Sequence, residues 1–97
     1  MSSDLDTIQE TLSQHKDEIK RRFPVKSLAV FGSYARQADG EDSDVDVMVE
    51  FDRQVGIEFI DLADYLEDLL KIRIDLVSRR ALKPRYFESI KDELRYV

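Results

Sequence analysis

Residues 43–51 read SDVDVMVEF, with valines at 45, 47 and 49 and Phe51 closing the series. That period of two predicts a β-strand with one apolar face. Asp44 and Asp46 then project together from the opposite face, although aspartate is depleted in strands. By strand rise they lie about 7 Å apart along the backbone. Two carboxylates side by side repel each other unless water or a cation intervenes. The stretch therefore asks for a sheet that buries the valines and for a partner that accepts two negative charges.

The rest of the chain supplies that sheet. Ser2, Ser3 or Asp4 can cap a first helix over about 4–22, striped by Leu5, Ile8, Leu12, Ile19 and Phe23 and ended by Pro24. His15, the single histidine, falls on the stripe and is expected at the edge of the core. Val25–Phe31 is a short apolar strand, and GSYARQA turns from it into a brief helix. Ile57–Lys71 places Phe59, Leu62, Ala63, Leu66, Leu69 and Leu70 on one face, with its acids spread around the others as a solvated surface. RIDLVS, residues 73–78, is a third strand carrying Asp75, and a last helix starts near Pro84 with Phe87, Ile90, Leu94 and Val97 as its stripe. The order α-β-α-β-α-β-α predicts an α/β (α+β) fold, a small mixed sheet with helices packed on one face. With no repeat or linker in 97 residues, residues 1–97 are expected to form a single domain, its catalytic core at about 23–97.

Composition narrows the function. Fifteen basic against 21 acidic residues give a net charge of −6, which argues against a broad basic groove for long DNA or RNA. A nucleotide is not excluded, because a metal can balance its charge. The absence of cysteine removes disulfides and thiolate metal sites. No apolar run approaches the roughly 18 residues of a membrane span, and the polar first residues are unlike a signal peptide, so a soluble cytoplasmic protein is expected.

If the strands bearing Asp44, Asp46 and Asp75 are neighbours in suitable register, three carboxylates meet on one face. Such oxygen donors suit Mg²⁺ or Mn²⁺, and bridging carboxylates can hold a pair of ions ~3.5–4 Å apart for in-line displacement at phosphorus. Gly32 and Ser33 end the first strand and open a helix. That turn aims backbone N–H groups at an anion, and the Ser33 hydroxyl can donate to a phosphate oxygen. The blander readings weigh less. An EF-hand loop starting at Asp42 needs glycine sixth and glutamate twelfth, where Val47 and Arg53 stand. Asp44 and Asp46 could be solubility devices of an edge strand, and Asp75 could pair with Arg73, Arg79 or Arg80. Arg36, Arg79, Arg80 and Lys83 are possible phosphate or acceptor contacts, more often surface residues as single charges.

Gly32-Ser33, ten residues, then Asp44-Val45-Asp46 resembles the G-S-x10-D-x-D signature of minimal nucleotidyltransferases of the polymerase-β-like superfamily. GSYAR, SDVDVMVEF, RIDLVS and ALKPR resemble stretches of the short MNT-domain proteins, from about Phe23 onward. Gln37 departs from the glycine common after the arginine, at no cost to a metal ligand. The resemblance implies that Asp44 and Asp46 bind two Mg²⁺ ions and that Asp75 binds one of them and helps deprotonate the acceptor. It also implies that Gly32 and Ser33 hold the β- and γ-phosphates of ATP. MntA-type antitoxins of this family pair with HEPN-domain toxins in type VII toxin–antitoxin systems, which implies AMP transfer to a toxin tyrosine. The alternatives are neutralisation by binding alone and nucleotidyl transfer to a small-molecule hydroxyl. Homo- or hetero-oligomers are both open.

Overall fold

Val25–Phe31 (β1) and Val45–Phe51 (β2) run antiparallel, and Ile74–Ser78 (β3) runs parallel to β2. The computed structural model describes residues 5–31 and 45–97. Among these, the sheet has the order β3-β2-β1-β4, where β4 is Arg95–Tyr96, paired antiparallel with β1. The sheet is mixed, as the pattern of strands and helices predicts.

One face carries most of the core. Val25, Leu28 and Val30 of β1, Val45, Val47 and Val49 of β2, and Ile74 and Leu76 of β3 form one buried cluster. Three helices supply the rest. Leu5–Gln14 (α1) contributes Ile8 and Leu12, Lys16–Arg22 (α2) contributes Ile19, and Glu58–Leu70 (α3) contributes Leu62 and Leu66. These positions follow the helical spacing of the expected stripes. The first helix is not continuous: it breaks at His15, whose N–H is shared between the carbonyls of Thr11 and Leu12 and whose Nδ1 lies 3.0 Å from the Thr11 oxygen. Phe23 is extended (φ −134°, ψ 150°), as the residue before a proline is driven to be, and Pro24 then leads into β1.

The opposite face is smaller. Ala29 and Phe31 of β1 and Met48 of β2 pack with Ile90 and Phe87 of Pro84–Ile90 (α4), joined by Val77, Leu82 and Leu94. Three helices share the larger face and α4 lies on this one, so the sheet is covered on both sides.

The C-terminal stripe does not hold as one helix. The α-helix ends at Ile90, a 3-10 turn spans Lys91–Glu93, and Arg95–Tyr96 pairs with Ala29 and Val30. Val97 N–H then donates to the Leu28 carbonyl at 3.1 Å, and Val97 packs on the larger cluster instead of under α4. Pairing with β1 satisfies backbone groups that the edge of a three-stranded sheet would leave open. The brief helix expected after Gly32 lies outside the described residues.

Candidate active site

Asp46 and Asp75 are register partners on the parallel strands β2 and β3. Register partners on neighbouring strands point to the same face, and the strands lie about 4.8 Å apart. The face is the smaller one, since Val45 and Val47 flanking Asp46, and Ile74 and Leu76 flanking Asp75, enter the larger core. Asp46 is buried at 9% exposure, whereas Asp75 on the edge strand is exposed. The third partner at this level is Phe31, opposite Asp46 on β1 and 2% exposed. Asp46 thus sits between the buried Phe31 ring on β1 and the exposed carboxylate of Asp75 on β3.

Two local devices hold the register. Val45 N–H donates to the Arg73 carbonyl at 3.1 Å, tying the start of β2 to the approach of β3. Ile74 N–H donates to Glu67 Oε2 at 3.0 Å. Glu67 sits in the last turn of α3, and Lys71 follows as a left-handed C-cap (φ 60°) that turns the chain sharply toward β3. A side chain on α3 therefore holds the residue next to Asp75. From sequence alone Glu67 belongs to the solvated acids of the helix; only its tertiary partner distinguishes it.

The alternative readings resolve in part. β2 lies between β1 and β3, so Asp46 is not a device of an edge strand. Asp75 forms no ion pair with Arg73, Arg79 or Arg80 among the described residues; Arg79 instead lies over the Phe87 ring, 3.8 Å from its centroid. Gly32, Ser33, Arg36 and Asp44 fall outside the described residues. Their places in the chain are still informative. Gly32 and Ser33 follow directly on Phe31 in the chain and Asp44 directly precedes Val45; Phe31 ends β1 and Val45 begins β2, both at the Asp46–Asp75 end of the sheet. Among the described residues no three metal-binding side chains converge. The two brought together are oxygen donors on one face, a donor set that fits a hard divalent cation.

The chain is similar to known proteins over most of its length. A sequence model of the family described as "Nucleotidyltransferase domain" matches residues 12–97. The protein adenylyltransferase MntA of Thermococcus cleftensis is 43% identical over 94 residues, covering 96% of this chain and 95% of that protein. A solved structure described as a "putative minimal nucleotidyltransferase" superposes with a TM-score of 0.76 at 34% identity, covering 96% and 95% of the two chains. A chain from the complex of tri-AMPylated Shewanella oneidensis HEPN toxin with MNT antitoxin shares the fold, with a TM-score of 0.66 at 20% identity over 92% of this chain and 70% of that one. The chain belongs to the nucleotidyltransferase domain family and is a nucleotidyltransferase.

Proposed function

We propose that this protein transfers AMP from ATP to a tyrosine hydroxyl of a HEPN-type toxin partner and acts as its antitoxin. The observation that carries the reading is the register of Asp46 with Asp75, at the sheet end where β1 stops one residue before Gly32 and β2 starts one residue after Asp44. The names of its relatives, protein adenylyltransferase MntA and an MNT antitoxin bound to an AMPylated toxin, point to the acceptor class.

In this reading residues 1–97 act as one minimal domain. Asp44, Asp46 and Asp75 hold two Mg²⁺ ions, which supply charge neutralisation at the transferring phosphate. Gly32 and Ser33 bind the β- and γ-phosphates through backbone N–H groups and the serine hydroxyl. Asp75, exposed on the edge strand, takes the proton of the acceptor hydroxyl. The freed oxygen forms its bond to the α-phosphorus as the bond to pyrophosphate breaks opposite it. Positioning and electrostatics supply most of the rate. A chain of net charge −6 suits a partner with basic residues around its acceptor, as on a surface that binds RNA. AMP added beside that partner's active site brings negative charge where RNA phosphates must bind, and so blocks it.

Intact-mass spectrometry of the co-incubated pair with ATP and Mg²⁺ tests this. AMP-sized increments on the partner, with loss of its RNase activity, are expected. Undiminished suppression by an Asp44→Asn/Asp46→Asn variant, with no added mass, overturns transfer in favour of neutralisation by binding.

A further inference from the structure

The end of the strands far from Asp46 carries a concavity. The loop after β2, the first turn of α3 and the junction following β3 enclose a cleft of about 390 Å³. Asp46 and Glu50 are four residues apart on β2, so the cleft lies about 13 Å along the strand from the carboxylate pair. Its charge runs against that of the whole chain. Arg53, Arg79 and Arg80 line it in a protein of net charge −6. Its one carboxylate, Glu50, faces Lys26 at 3.9 Å and accepts from the Ser27 hydroxyl at 3.4 Å. Arg79 is held by the Phe87 ring, Arg53 makes only a long contact with Glu58 (3.9 Å), and Arg80 has no ion pair among the described residues.

Two aromatic rings complete the cleft. Phe51 and Phe59, with centroids 6.4 Å apart, form part of its lining. Guanidinium forks match the paired oxygens of a phosphate, and phenyl faces accept a planar heterocycle. The volume is at the lower end of small-ligand sites, enough for a mononucleotide and too little for a folded protein segment.

We infer that this cleft is a second nucleotide site, taking a nucleoside monophosphate such as AMP, with the phosphate on Arg53, Arg79 and Arg80 and the base against Phe51 and Phe59. It needs no metal, because the arginines themselves balance the phosphate. It is thereby distinct from the carboxylate end, which repels an anion until cations are present.

The test is an amide NMR titration of the whole chain with AMP in EDTA, without a partner. Saturable shifts are expected at Gln54, Val55, Ser78 and Arg80, with affinity unaltered in Asp46→Asn/Asp75→Asn. The Arg53→Ala/Arg80→Ala variant, truncating two exposed side chains, should keep its melting temperature and bind AMP at least about tenfold more weakly. Adenosine and inorganic phosphate should each bind more weakly than AMP. Shifts confined to the Asp46–Asp75 end, no saturable shift, full binding by the double arginine variant, or phosphate or an oligoglutamate peptide equalling AMP would each overturn it. Transfer to a partner plays no part in this readout, so the two readings fail separately.

Discussion

The two faces of the sheet differ: one is given over to packing, and the other also holds a pair of carboxylates. The face under α1, α2 and α3 is lined by valine, leucine and isoleucine from every long strand. The face under α4 keeps only Ala29, Phe31 and Met48 as its fully buried strand residues and places Asp46 and Asp75 beside them. Alternation along a strand lets one backbone serve both purposes, since each residue is committed to one face. A domain this small cannot spare much apolar area. It keeps one face mostly apolar and places the carboxylates on the other, at the end where β1 stops at Phe31.

The largest effect should come from the polar face. Asp46→Asn and Asp75→Asn are nearly isosteric, and each should lower AMP transfer by about a thousandfold or more while the domain stays folded. Transfer assays paired with circular dichroism check this. Unfolding of Asp75→Asn would reassign that residue to structure and erase the division. The opposite behaviour is expected across the sheet. Leu66→Ala removes a fully buried side chain and should cost about 3 kcal/mol in urea unfolding, with transfer per folded molecule unchanged. Phe87→Ala, on the half-buried α4 cover, should cost about 2 kcal/mol, because its ring meets Arg79 as well as the smaller cluster. A cost exceeding that of Leu66→Ala would mean that the smaller face bears the greater share of stability.

Glu67→Ala links the faces. It leaves Ile74 N–H without its acceptor, a loss of about 1 kcal/mol, and should slow transfer several-fold by loosening the strand that carries Asp75. The smallest effect is alkaline. Burial first, and then the charge of Glu18, push the Tyr65 phenol above the ordinary tyrosine range, with Arg22 opposing. A raised folded value means that Tyr65 adds stability while protonated, and this is lost as the pH rises through it, above about 10. Spectrophotometric titration should show one tyrosine ionising late, absent in Tyr65→Phe, with transfer near neutral pH unaffected.

Much of this was legible in the residues. The valine alternation assigned Asp46 to the face opposite the core, Ile74 and Leu76 did the same for Asp75, and the spacing from Gly32-Ser33 to Asp44-Val45-Asp46 pointed to the family. Element identity followed because periodicity is a local property, set by how each backbone presents successive side chains. What lay beyond it was relational. Alternation says which face a residue takes, never which residue it meets on the next strand, and a slip of two would preserve every face while separating Asp46 from Asp75. The bond from Val45 to Arg73 and that from Ile74 to Glu67, between residues 28 and 7 positions apart, settle the register. The C-terminus was decided likewise. Leu94 and Val97 fit a helical stripe, yet the open edge of β1 offers Arg95 and Tyr96 backbone partners, and a paired edge outweighs another helical turn when the helix face has no core left to bury.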